Sequence, residues 1–309
     1  MKLVPFKVES VEKSVSEIPY GVEQLKAPKM WRQKELGEGC VVCILDTGID
    51  RNHPDLKDQI IDGKNFCDDA AETEYDDKNG HGTHVAGIIA AAENDSGVVG
   101  VAPKAKLLIG RVLDANGSGS YQAIINGLMW AASWQGPNGE RVRVINMSLG
   151  GPEDDPNLHT AVLEAVSKGI LVVVASGNEG DDNEATYELG YPALYNECVT
   201  VAACDEGKKL AYFSNNNLQV DVIAAGVNVL STYPTSSYAR LSGTSMATPH
   251  ISGALALIIN WGEKFFKREL TESEIYALLA KSAKTIGYQT TSEGHGLPDL
   301  AYTYRKWKC

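Results

Sequence analysis

Three short segments of the 309-residue chain carry the side-chain types that hydrolytic chemistry needs. Leu45-Asp46-Thr47-Gly48 offers a carboxylate, Asn79-Gly80-His81-Gly82-Thr83-His84 an imidazole, and Ser242-Gly243-Thr244-Ser245-Met246-Ala247 a hydroxyl. A serine hydroxyl is a weak nucleophile, and a histidine within hydrogen-bond reach activates it by taking its proton. A carboxylate on the other ring nitrogen fixes the imidazole tautomer and stabilises the imidazolium. A lone Asp, His or Ser is usually structural or solvated; three long motifs occurring together in the order Asp, His, Ser raise Asp46, His81 and Ser245 above that background. His84, three residues along the same helix, reads as packing or hydrogen-bonded support. His53, His159, His250 and His295 read as structural or exposed.

Such side chains must be carried by elements that end close together. Residues 41–45 are a β-rich apolar run without alternation, as expected of a strand buried on both faces, and the run stops at Asp46. The pattern predicts further strands over 106–113, 142–147, 170–175, 198–203 and 220–224. It predicts helices over 81–92, 121–134, 157–168 and 246–261, and a late one whose start, Thr271-Glu272-Ser273-Glu274, fits a capping box. Strands alternating with helices imply βαβ units around a mostly parallel sheet, which places chemistry at the strand C-termini. Residues 1–16 are polar apart from an apolar knot over residues 3–6, and offer few features of a packed element.

Composition narrows the function classes. The net charge is −12, which argues against nonspecific nucleic-acid or anionic-membrane binding. No apolar run approaches the ~18 residues of a membrane span. The N-terminus lacks the long apolar stretch of a secretory signal, so a cytoplasmic protein with reduced thiols is expected. The six cysteines are too sparse for a disulfide scaffold; Cys40-x-x-Cys43 has no second such pair and reads as structural thiols, and Cys309 is terminal. The acidic stretch at Asp68-Asp69 and residues 72–77 reads as a solvated surface. Its functional alternatives are weak cation binding or a preference for basic residues beyond the cleavage point.

Taken together, the three motifs resemble those of the subtilisin-family serine proteases, and the likeness covers roughly residues 17–309. It implies an α/β fold, a three-layer αβα sandwich with a mostly parallel central sheet, and endopeptidase activity through an acyl-enzyme. It implies an oxyanion hole from Asn178, in Ala175-Ser176-Gly177-Asn178-Glu179-Gly180, with the Ser245 N–H and a supporting Thr244 hydroxyl. Ser148-Leu149-Gly150-Gly151 and Gly117-Ser118-Gly119 resemble the two strands between which a substrate adds as a third, and Ala175, Ser176 and Gly177 the other wall of the primary pocket. No acid stands at those walls, so a broad or apolar preference is expected. A structural calcium site is implied from Asp55 and Asn94 side chains and the carbonyls of Ala92, Ser96 and Val98. The family's usual N-terminal amide ligand is missing, because Ser16 occupies the approximate matching position. A second, weaker cation site is implied near the carbonyls of Ala193 and Tyr195.

At the N-terminus, Leu3-Val4-Pro5-Phe6 resembles the short motif of the intracellular subtilisins, in which an extension silences the zymogen. The implied partition is an inhibitory extension over residues 1–16, removed by cleavage near residues 15–20, and a catalytic domain over residues 17–309. A homodimer is implied by the same likeness. Two rival functions are weaker. A lipase-type α/β-hydrolase needs Gly-x-Ser-x-Gly and the order Ser, acid, His, whereas Ser245 sits in Gly-Thr-Ser-Met-Ala. A dead pseudoprotease is disfavoured because all three candidate triad residues and Asn178 are present.

Overall fold

The computed structural model describes residues 1–302. Residues 303–309, with Cys309, lie outside the described residues. Seven parallel strands form the central sheet, in the spatial order Val220–Ala225, Cys198–Cys204, Leu171–Ala175, Val142–Met147, Val41–Asp46, Lys106–Arg111 and Ile60–Asn65. Val41–Asp46 is buried along its whole length, and its side chains divide between two cores. Val42 and Ile44 face the side of helices His81–Ala90 and Thr244–Phe266. Val41, Cys43 and Leu45 face the side of Tyr121–Ser133 and Pro156–Ser167. This is the expected three-layer sandwich, and period-2 side-chain alternation within an all-apolar run is what produces it.

The chain order reverses at the central strand: strands added early lie on one side of Val41–Asp46 and later ones on the other. The crevice at the C-terminal ends of the strands around that point is where an open α/β sheet exposes its loops to a ligand. Asp46 ends the central strand, residues 117–119 follow Lys106–Arg111, Ser148 follows Val142–Met147, and Asn178 follows Leu171–Ala175.

Three differences from the sequence pattern are informative. Ile60–Asn65 is an edge strand that the pattern does not reveal, because it is only half-buried and Asp62, Gly63 and Lys64 interrupt its apolar content. The last large helix runs from Thr244 to Phe266 and contains Pro249. Residues 1–16 do form structure: Lys7–Glu12 adds antiparallel to Ser237–Ser242, which pairs in turn with Val229–Tyr233. Val8 and Val11 stay exposed there, so the segment is held by the backbone ladder and leaves no hydrophobic signal. Thr271 caps Glu272–Ser282 with the expected reciprocal bonds to Glu274.

Candidate active site

Asp46, His81 and Ser245 are each fully buried in the crevice. The Asp46 carboxylate accepts from the Thr47 N–H at 2.7 Å and from His81 Nδ1 at 2.8 Å, with its second oxygen 3.0 Å from the same nitrogen. A carboxylate oxygen accepts in such a contact, so Nδ1 is the donor. This proximity requires the start of helix His81–Ala90 to press onto the turn after Asp46. A Cβ on Gly82 would collide with the Gly48 carbonyl, which leaves glycine at that position.

Ser245 sits in the first turn of its helix. The hydrogen bond expected between its hydroxyl and His81 is not made. Ser245 Oγ donates to the Ser148 carbonyl at 3.2 Å, and His81 Nε2 is buried with no partner. One hydroxyl proton serves one acceptor well, and in this closed arrangement the carbonyl has it. Ser148 Oγ returns a bond of 3.0 Å to the Ser245 carbonyl. That carbonyl is free to accept because Pro249, four residues on, has no N–H to give it. A ring packs against the histidine: Phe6 and His81 have centroids 4.9 Å apart, tilted by 52°.

Asn178 is oriented by Thr244, whose N–H and hydroxyl both donate to Asn178 Oδ1 at 2.8 Å. The amide nitrogen is thereby turned toward the crevice, where it donates to the carbonyl of Pro5. The chain's first residues fill the groove. Lys2 and Leu3 pair antiparallel with Gly150 and Leu149, and Lys2 also bridges to Ser118. Leu3 N–H donates to the Gly117 carbonyl at 2.8 Å, and Met1 and Gly119 exchange two bonds of 3.1 Å. The two edges expected to flank a substrate therefore flank residues 1–3.

Beside them is a cavity of about 440 Å³ whose lining includes Val4, Gly150, Ala175, Ser176 and Gly177. Its wall also carries Glu179, which corrects the expectation of acid-free walls. Glu179 lies two residues past Gly177, and the turn that follows Leu171–Ala175 brings it back to the cavity. One of its carboxylate oxygens accepts from Asn178 N–H at 3.0 Å and Asn215 Nδ2 at 2.8 Å. Asn215 is a second residue that the sequence did not signal, since it comes from a distant polar run.

The candidate calcium loop packs around Asp55 through its N–H groups. This carboxylate is 1% exposed, and the donors on it are neutral: Asn94 Nδ2 at 2.9 Å and Val98 N–H at 3.1 Å. Ser16 lies opposite Gly97 in a short parallel pair, so the segment short of an amide ligand does run beside the loop. A buried carboxylate whose donors here are uncharged is the kind of oxygen ligand that suits a hard cation such as calcium. No group of three or more His, Cys, Asp or Glu is assembled for a metal among the described residues; the expected cage has a single carboxylate. At the second expected cation position, the Ala193 carbonyl accepts from Thr200 Oγ1 at 2.7 Å and the Tyr195 carbonyl from Cys198 N–H at 3.0 Å.

The remaining polar candidates have structural partners. His84 Nε2 lies 3.0 Å from the carbonyls of Val229 and Ala239, and burial pulls its pKa down to about 3. His250 Nδ1 meets the Met246 carbonyl at 2.8 Å, and burial pulls it down to about 4. Cys40 and Cys43 are free and buried in opposite cores, so their spacing builds no shared site. Burial pushes the Cys40 thiol up to about 12. The acidic stretch is not a plain solvated face: Asp69 is paired bidentately with the buried Arg111, and Asp76 with Arg51.

Comparison with known proteins agrees with this architecture. The model of the subtilase family matches residues 37–297. An intracellular serine protease of Paenibacillus polymyxa is 51% identical over 297 residues, covering 96% of this chain and 89% of the relative. The major intracellular serine protease of Bacillus subtilis (strain 168) is 48% identical over 299 residues, covering 96% and 92%. Subtilisin E of the same organism is 46% identical over 244 residues, covering 79% of this chain and 61% of the relative. The chain belongs to the subtilase family. It is a serine endopeptidase, a hydrolase acting on protein substrates.

Proposed function

We propose that this endopeptidase works through Asp46, His81 and Ser245, and that residues 1–16 are an inhibitory extension of a catalytic domain over residues 17–309. The observation that carries the reading is the pairing of Lys2–Leu3 with the groove edge Leu149–Gly150, with the Pro5 carbonyl on the Asn178 amide. In the active enzyme Ser245 Oγ attacks the substrate carbonyl as its proton passes to His81 Nε2. Asn178 Nδ2 and the Ser245 N–H hold the resulting oxyanion, and Thr244 keeps Asn178 aimed. His81 then protonates the departing amine, leaving an acyl-enzyme that water hydrolyses by the reverse proton route. Asp46 holds the imidazole and balances its charge throughout.

Four features support latency. Val4 is 5% exposed and lines the pocket, and the Asn178 amide bonds the carbonyl of the residue after it, Pro5. Proline fixes φ at that step, which holds the chain out of the productive path. Phe6 packs against His81, and the Ser245 hydroxyl is committed to Ser148. Residues 16–18 are exposed, which suits release by cleavage within 15–20. A broad or apolar preference at the primary pocket is part of the same reading, because Glu179 on the wall already accepts from Asn178 N–H and Asn215 Nδ2.

Calcium is proposed at Asp55 and Asn94 with the carbonyls of Ala92, Ser96 and Val98; when bound it cross-links the loop to the segment bearing Asp55. Cytoplasmic residence is proposed from the names of the two intracellular relatives. A homodimer rests on the family likeness, and light scattering of the full chain measures it. The deciding experiment is mass spectrometry of the purified chain on casein with calcium, beside Ser245→Ala and fluorophosphonate labelling. Casein cleavage, loss of about the first 16 residues and a label on Ser245 are expected. Casein cleavage by Ser245→Ala would refute the triad. Pro5→Ala should raise initial activity or self-cleavage, and unchanged latency would count against the extension.

A further inference from the structure

The first three N–H groups of helix His81–Ala90 have no partners inside the helix, and the N-cap residue, Gly80, has no side chain to meet them. They are met from elsewhere. His81 N–H donates to Asn79 Oδ1 at 3.3 Å, Gly82 N–H to Thr47 Oγ1 at 2.9 Å, and Thr83 N–H to Asp77 Oδ2 at 2.9 Å. Asp77 is the common anchor. Its Oδ2 also accepts from Thr83 Oγ1 at 2.6 Å. Its Oδ1 accepts from Thr47 Oγ1 at 2.9 Å, Asn79 N–H at 2.9 Å and Gly80 N–H at 2.8 Å. Its own N–H is bonded to the Ile49 carbonyl, beyond the turn that follows Asp46.

One carboxylate thus accepts five hydrogen bonds, from the residue after Asp46, from the two residues before His81 and from the second residue after it. We propose that Asp77 is a positioning residue, whose carboxylate holds the start of the His81 helix against the turn that carries Asp46. This inference rests on the triad reading above. Asp77 touches neither the substrate strand nor the imidazole in any hydrogen bond. It acts through Thr47, whose hydroxyl gives its proton to Asp77 and accepts from Gly82, and whose N–H lies on the Asp46 carboxylate. A carboxylate suits the task, because all five partners are donors and both oxygens can only accept. An amide at position 77 would turn an NH₂ group toward one set of those donors, and the two motifs would separate.

The test uses the full chain after activation on casein, with active sites counted by fluorophosphonate. Asp77→Asn should lower kcat ~10²-fold, the scale of a catalytic group displaced by about 1 Å. KM should stay within about threefold, because the groove edges are untouched. Thr47→Val should lower kcat in the same sense, and Thr47→Ser, which keeps the hydroxyl, should restore it. The double variant Asp77→Asn/Thr47→Val should be little worse than the weaker single, as expected for one shared path. If Asp77→Asn does not fold, the contrast between Thr47→Val and Thr47→Ser decides. A folded Asp77→Asn with undiminished kcat, a change confined to KM or Tm, or equal kcat for Thr47→Val and Thr47→Ser would each overturn the proposal. Activity surviving in Ser245→Ala would instead overturn the triad reading, and this role with it.

Discussion

Arg240 joins the proposed N-terminal extension to the domain through Glu12 and pairs within the domain with Glu17. Its Nε lies 3.2 Å from Glu12 Oε1 and its Nη2 3.0 Å from Glu17 Oε1, with the guanidinium side chain 27% exposed and the carboxylates 36% and 48%. A half-exposed pair of this kind contributes ~0.5 kcal/mol, and only the Glu12 pair ties residues 1–16 to the domain, so it holds the closed state by ~0.5 kcal/mol. Arg240→Ala should therefore raise the open fraction of the latent chain about twofold, since 1.36 kcal/mol is tenfold. The ladder between Lys7–Glu12 and Ser237–Ser242 remains, so latency weakens and is not abolished. The assay is the rate of fluorophosphonate labelling of Ser245 in the uncleaved chain, which follows the open fraction. Wild-type labelling should accelerate from low salt to 1 M, where the screening length falls to ~3 Å, and Arg240→Ala should be nearly insensitive. Equal labelling of the two proteins at low salt, or an equal salt response, would refute this account of the latch.

Other outcomes follow from the same geometry. Thr244→Val removes one 2.8 Å bond from Asn178 Oδ1 and leaves the N–H bond, so kcat should fall about fivefold for ~1 kcal/mol lost, with KM little changed. Active-site-titrated kinetics on a peptide measure it. Acid should destabilise the fold through His84 and His250, whose folded-state pKa values of about 3 and about 4 lie below the ordinary 6.5. The unfolded chain then binds more protons, so their contribution is complete above about pH 6.5 and is lost as pH falls toward 4. At pH 5 each has forfeited ~2 kcal/mol, which urea unfolding of Ser245→Ala at pH 7 and 5 would register. Calcium should raise Tm in the same Ser245→Ala chain, by the equivalent of ~2.7 kcal/mol at a hundred times its Kd. Asp55→Asn should abolish that rise, and a rise that survives would remove Asp55 from the site.

Much of the fold is legible along the chain. The buried strands 41–46, 142–147 and 171–175 announce themselves as apolar runs because both sheet faces are covered. The helix at Thr271 is readable because its cap is local. Lys7–Glu12 and Ile60–Asn65 are not readable, since a strand at a sheet edge needs only its backbone to pair. Asp77 looks like one more charge in an acidic stretch until the turn after Asp46 folds onto it.

The residue types for hydrolysis, their order along the chain and the parallel character of the sheet were determined by the sequence itself, because period, composition and local capping are short-range properties. Tertiary structure alone decided that Asp46 meets His81, that Thr244 aims Asn178, and that Glu179 reaches the pocket wall. It alone decided that Lys2–Leu3 pair with the groove edge, while the Ser245 hydroxyl faces a carbonyl and not the imidazole. Each of these depends on hydrogen bonds between segments far apart in the chain, and such contacts exist only once the sheet has set its strand order and the loops at its C-terminal edge have closed over one another.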